Sequence, residues 1–284
     1  MPECPIIDAH LHLWDPQRLP IDWVVGDPVL NRAYTLADFD AHTTGLPVVG
    51  AVYVQVGVAP AYALVEAREI AALDATRVQG IVAYAPLEDG VRARSYLDAL
   101  ADVPRVCGVR RIIQDDGDSQ ICLAPDFVAG VALLAERDWV FDLCIRAPQL
   151  PAATELVRRL PQVRFVLDHI GKPAIRNGDL DPWRADLRAL AALPNVVCKI
   201  SGVATEADLH SWTHADLAPY IAHAIESFGP ERVLFGGDWP VALLATEYRR
   251  WVETLDLLIG ELSSTARVAF WADNARRVYR LGLR

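Results

Sequence analysis

Residues 6–12 read Ile6-Ile7-Asp8-Ala9-His10-Leu11-His12. The run is short, apolar and β-branched at its start, which predicts a β-strand. It ends on two histidines spaced i, i+2, and alternate strand side chains share a face, so both imidazoles leave the strand on one side. Seven further short apolar runs follow, at 48–56, 79–84, 106–112, 140–145, 164–167, 196–200 and 233–235. The later ones are nearly continuous in apolar residues, as expected of parallel strands covered on both faces. Between them, 61–75, 95–101, 125–137, 148–160, 182–193 and 214–228 carry helical spacing. Pro125, Pro148 and Pro182 open such stretches, while Pro161, Pro194 and Gly229-Pro230 follow their ends. This is the usual helix punctuation.

Alternation of strand and helix predicts parallel βαβ units. Eight units predict an α/β fold of the (β/α)8 TIM-barrel type, with residues 1–284 as one domain. A barrel of roughly 250 residues accommodates this length. An open doubly wound sheet is the alternative, but no GxGxxG follows the first strand, which weakens its nucleotide-binding form. The stretch 13–47, rich in Trp, Pro and Asp, reads as a long loop over the barrel mouth. The segment 263–281 reads as a final helix packed on the outside.

Composition narrows the partners. The 52% apolar content provides a large core, and the formal net charge of −10 comes with no dense basic patch. Nucleic acid and anionic membranes are therefore poor partners. The N-terminus has no signal-peptide pattern, and no apolar run approaches the ~18 residues of a membrane span. The five cysteines form no CxxC pair. They read as reduced residues of a cytoplasmic protein. Homo-oligomer formation stays open. Of 27 basic residues only Lys172 and Lys199 are lysines, and both fall beside strand ends.

Three places carry chemistry. His10 and His12 end the first strand, at the carboxy-terminal mouth where such barrels keep their active sites. Two nitrogen donors on one strand suit Zn²⁺ or a similar metal, although two polar residues at a strand–loop junction read equally well. Leu167-Asp168-His169-Ile170-Gly171-Lys172-Pro173 closes the sixth strand and brings His169 to the same mouth; Asp168 reads as a residue that orients a neighbour. Phe235-Gly236-Gly237-Asp238-Trp239-Pro240 closes the eighth. There Asp238 is placed for a general base or a metal ligand, and in a closed barrel it faces His10 and His12. Arg110, with Arg111 beside it, and Arg146 follow the fourth and fifth strands and suit a carboxylate or hydroxyls. Lys199 ends the seventh, as a substrate contact or a salt-bridged barrel lysine. Trp14 and Trp239 are placed to stack on a ring or to plug the mouth.

Taken in order, IDAHLHLWDP, VYVQV, CGVRRIIQ, FDL, VLDHIGKP, CKISG, FGGDWPV and NARRVYRL resemble the amidohydrolase superfamily, in its amidohydrolase-2 branch, along nearly the whole chain. That resemblance implies a distorted barrel with a hydrolase centre of His10, His12, His169 and Asp238, the same four being the metal ligands if a metal is bound. It implies a lactonase acting on a small sugar-acid lactone, such as an L-fucono- or L-rhamnono-lactone, with Asp238 activating water. Arg110, Lys199 and Arg146 would meet substrate oxygens, and Trp14 and Trp239 its apolar ring face. The fourth and fifth strand ends offer arginines and no lysine to be carbamylated, so a two-metal centre is not expected. One Zn²⁺ is expected, with metal-free catalysis as the alternative. Hydrolysis of a carboxylated pyrone or muconolactone, non-oxidative decarboxylation, and a non-catalytic ligand-binding barrel are the competing readings.

Overall fold

The structure, a computed structural model, describes residues 1–282. Eight parallel strands pair in chain order. They are β1 (Ile6–Leu11), β2 (Val48–Val54), β3 (Val78–Ala83), β4 (Val106–Arg110), β5 (Val140–Leu143), β6 (Arg164–Leu167), β7 (Val196–Ile200) and β8 (Val233–Phe235). A helix follows each: α1 (Leu36–His42), α2 (Ala63–Ala71), α3 (Arg94–Ala101), α4 (Pro125–Ala132), α5 (Leu150–Arg159), α6 (Trp183–Ala191), α7 (His214–Phe228) and α8 (Tyr248–Leu258). This is a (β/α)8 TIM barrel.

The near-continuous apolar strands follow from burial on both faces. Phe141, Leu143, Phe165, Leu167 and Phe235 pack outward against the helices. Val52, Val54, Val82, Val140, Val166 and Leu234 fill the lumen. All five cysteines are free, and four are buried. Among the described residues no helix is long and apolar enough to cross a membrane.

The barrel is distorted where it closes. β1 pairs not with β8 itself but with the chain just beyond it: Asp238 N donates to His10 O at 2.8 Å, and His12 N to Trp239 O at 2.8 Å. Asp8 fills the seam. Its carboxylate accepts from Gly237 N (2.8 Å), His10 N (2.9 Å) and the Tyr248 hydroxyl (2.9 Å). A Cβ on Gly237 would lie 2.4 Å from both Asp8 Oδ2 and the Tyr248 ring, so only glycine fits there. Burial pushes the Asp8 carboxyl up to about 6, against the lowering effect of those hydrogen bonds.

Two expectations change. The stretch 13–47 is not all loop. Thr35 and Asp38 form a capping box that starts α1, and its Phe39 enters the core. The carboxy-terminal segment does not simply pack outside. It comprises α9 (Ser264–Val268), a π-helical turn (Ala269–Asp273) and α10 (Asn274–Tyr279). Ala272, Ala275, Val278 and Tyr279 join the lumen cluster and seal the end opposite the histidines. The Tyr279 hydroxyl reaches Asp142 Oδ2 at 3.0 Å.

Candidate active site

The site gathers at the carboxy-terminal mouth. His10 Nε2 and His12 Nε2 lie 3.2 Å apart. Asp238 Oδ1 stands 3.6 Å from the first and 3.5 Å from the second. His12 Nδ1 bonds the carbonyl of Val54 at 2.6 Å, which makes Nδ1 the protonated nitrogen and leaves Nε2 a lone pair. Arg110 Nη1 donates to His10 Nε2 at 3.2 Å, so that nitrogen is also an acceptor. Two lone pairs and a carboxylate oxygen thus converge, an arrangement that favours a cation among them. Tetrahedral Zn²⁺ with ligands at ~2.0–2.1 Å places them roughly 3.3–3.5 Å apart, close to the separations here. His10, His12 and Asp238 therefore fit one metal.

His169 does not complete that trio. Its Nδ1 bonds Ser201 Oγ at 2.9 Å and lies 4.0 Å from Asp238 Oδ2, and it groups instead with His10 and Asp168. His169 and Asp238 both adopt left-handed backbone, with φ of 54° and 52°, as do Ile170 (50°) and Lys172 (47°). Such conformations cost of order 1–3 kcal/mol each in non-glycine residues, and here they aim two functional side chains at one point. Gly202, at φ 57°, makes room for them: a Cβ there would lie 2.6 Å from His169 Nδ1 and 2.7 Å from Asp238 Oδ2.

Beneath the mouth lies a buried charge layer. Lys199 Nζ contacts Asp142 Oδ2 (2.5 Å), Asp168 Oδ1 (3.0 Å) and His10 Nδ1 (3.2 Å). Arg110 Nη1 holds Asp168 Oδ2 at 3.3 Å, and its Nη2 donates to Gln55 O. Burial opposes the Lys199 charge, but Asp142 and Asp168 outweigh it and raise its pKa. Burial also works to raise Asp238, but the charges and hydrogen bonds of His169, His12 and His10 hold it below the usual carboxylate range. Burial lowers all three histidines, His169 to about 4. At neutral pH the centre is a carboxylate among neutral imidazoles.

A cleft of about 290 Å³ opens above this centre, lined by His12, Arg110, His169, Asp238, Trp23 and Lys172 together with Gln114, Asp115, Cys144 and Thr205. Four proposed substrate contacts are not among the residues that line it, Arg110 alone of the five being there. Lys199 is wholly buried under His10, consumed by its two carboxylates. Trp239 is wholly buried against Tyr34, Phe39 and His42. Trp14 is buried too, its indole N–H held by the carbonyls of Leu30 and Arg32. Arg146 lies at the exposed rim, bonded to Asp115. The aromatic that does line the cleft is Trp23, 47% exposed. Its Nε1 donates to Val56 O at 2.7 Å, and Trp14 packs edge-on behind it at 5.5 Å. Nothing in the periodicity of 13–47 marks Trp23, because its position depends on where that segment folds back over β2.

The amidohydrolase family profile matches residues 7–281. The chain belongs to the amidohydrolase-2 family. This family member is 35% identical to an L-fucono-1,5-lactonase of Burkholderia multivorans, over 97% of this chain and 96% of that protein. It is 24% identical to an L-rhamnono-gamma-lactonase of Scheffersomyces stipitis, over 72% and 69% of the two chains. Among solved structures, a Burkholderia multivorans amidohydrolase with bound Zn superposes with a TM-score of 0.89 at 32% identity, covering 98% of this chain and all of that one. The amidohydrolase-2 chain described here is thus a hydrolase related to lactonases, and its buried His/Asp cluster has the geometry of a metal site.

Proposed function

We propose that this hydrolase opens a small, uncharged sugar-acid lactone to its free acid. The observation that carries the reading is the split orientation of the Asp238 carboxylate at the floor of the cleft. Its Oδ1 faces His10 and His12, and its Oδ2 is turned over Gly202 toward His169. Oδ2 is the atom positioned to take a proton from water as the water oxygen attacks the lactone carbonyl. The electron pair moves onto the carbonyl oxygen beside the Arg110 guanidinium, whose fixed charge stabilises it. Collapse re-forms the carbonyl and breaks the ring C–O bond, and the departing ring oxygen takes the proton from Asp238. A divalent metal held by His10, His12 and Asp238 would supply Lewis-acid polarisation and lower the pKa of water. The relatedness to sugar lactonases supports the substrate class.

Acid release in a pH-indicator assay, from a panel of fucono-, rhamnono-, galactono- and arabinono-lactones, tests the reading. At least one is expected to turn over well above its spontaneous rate; none doing so overturns it. Elemental analysis of the active protein checks the metal, with one divalent ion per chain expected.

Trp23 presents its exposed face to the ring. Trp23→Ala removes on the order of 60 Å² of apolar contact, about 1.5 kcal/mol, so KM should rise roughly tenfold with kcat little changed. An unchanged KM would remove Trp23 from the substrate site.

The pH profile follows from His169. Its pKa is lowered to about 4, so the neutral form that the centre requires persists well below the usual histidine range. kcat/KM should stay flat from pH 8 to 6 and fall only as the pH drops toward 4. A limb centred near an ordinary histidine pKa of ~6.5 would contradict this.

A further inference from the structure

Two cations at the rim of the cleft, Arg146 and Lys172, are each matched by a carboxylate of this chain. Arg146 Nε and Nη2 donate to Asp115 Oδ1 at 3.0 and 2.9 Å, and Asp115 lines the cleft. Lys172 Nζ, another lining group, stands 3.9 Å from Glu206 Oε1, with both side chains largely buried. Glu206 also lies within the electrostatic reach of Arg146 and Asp238. Deeper in, Arg110 is committed to Asp168 and Gln55 O. A ligand carboxylate entering this cleft meets Asp115 and Asp238 in its lining, with Glu206 behind Lys172, and would have to displace an internal counter-ion to gain a rim cation. An uncharged, hydroxylated ring pays no such penalty and still finds donors and acceptors on the same pairs.

We propose that Asp115 and Glu206 are specificity-determining residues that cancel the rim cations Arg146 and Lys172 and so select uncharged lactones over carboxylated ones. This rests on the lactonase reading and deepens it. The same pairing acts on the product. Ring opening turns a neutral ligand into a carboxylate, which finds Arg146 and Lys172 already matched, so product release is favoured.

The test uses two ligands of one shape. Benzene-1,3-dicarboxylate carries two charges, and its diamide none. Calorimetric titration compares the wild type with the double variant Asp115→Asn/Glu206→Gln, and with Asp115→Glu and Glu206→Asp as conservative controls. The double variant should bind the dicarboxylate at least about tenfold more tightly than the wild type, with the gain lost in high salt, and should bind the diamide within about twofold. The conservative variants should behave as the wild type. Any bound metal is common to all four proteins, so the ratios isolate the rim. An unchanged dicarboxylate affinity, or an equal gain for the diamide, overturns the proposal. Retained thermal stability shows that the variants are folded. These titrations need no turnover, so failure of the lactone panel and failure of the rim proposal give separate results.

Discussion

Asp238→Asn is expected to reduce kcat on the best lactone by about 10²–10⁴-fold, the usual worth of a positioned general base. The substitution keeps the size of the side chain and its place between His12 and His169 but removes the proton acceptor. It also weakens the trio that fits a metal, so the metal content should fall with activity. The backbone hydrogen bond from Asp238 N to His10 O is untouched, which keeps the seam of the barrel closed. Melting temperature should therefore change little. A variant with kcat within threefold of the wild type would mean that another group takes the proton. Loss of fold with loss of activity would instead assign Asp238 to barrel closure.

Lys199→Met is expected to produce the largest loss of stability. Lys199 is wholly buried, and among the described residues it alone bridges Asp142 and Asp168. Removing one member of a buried ion network leaves uncompensated charge and costs about 3–5 kcal/mol. For a chain of this size that corresponds to a fall in Tm of roughly 10 °C. Activity should fall as well, because His10 Nδ1 loses a neighbour at 3.2 Å. Adding Asp142→Asn removes one stranded carboxylate and should recover part of the stability. Thermal unfolding followed by circular dichroism checks both variants. A Tm within 2 °C of wild type for Lys199→Met would show that the network does not support the barrel.

The two lysines show how far a residue's type and position in sequence can mislead. Both fall beside strand ends in the sequence, and of the two it is Lys199 that reads as a substrate contact or a salt-bridged barrel lysine. Lys172 lines the cleft because its left-handed backbone turns it outward after β6. Lys199 lies within β7, and the lumen at its level already holds two carboxylates. The aromatics separate in the same way. Trp239 follows Asp238 directly, yet the turn that points Asp238 into the mouth sends Trp239 to the opposite side, onto Phe39 and Tyr34.

Periodicity and punctuation in the sequence were enough for the eight strands, six of the helices, the barrel, and the gathering of His10, His12, His169 and Asp238 at one mouth. Local side-chain alternation and strand-end position carry that information, since a parallel barrel places every strand end on the same rim. The tertiary structure alone decided the rest. It separated His169 from the metal trio, closed the barrel through Asp8 rather than a β1–β8 ladder, placed Trp23 instead of Trp14 or Trp239 against the cleft, and paired Arg146 and Lys172 each with a distant carboxylate. Those outcomes depend on contacts between residues far apart in the chain, such as Arg146 with Asp115 and Asp8 with Tyr248, and no local pattern encodes which partner a charged or aromatic side chain will meet.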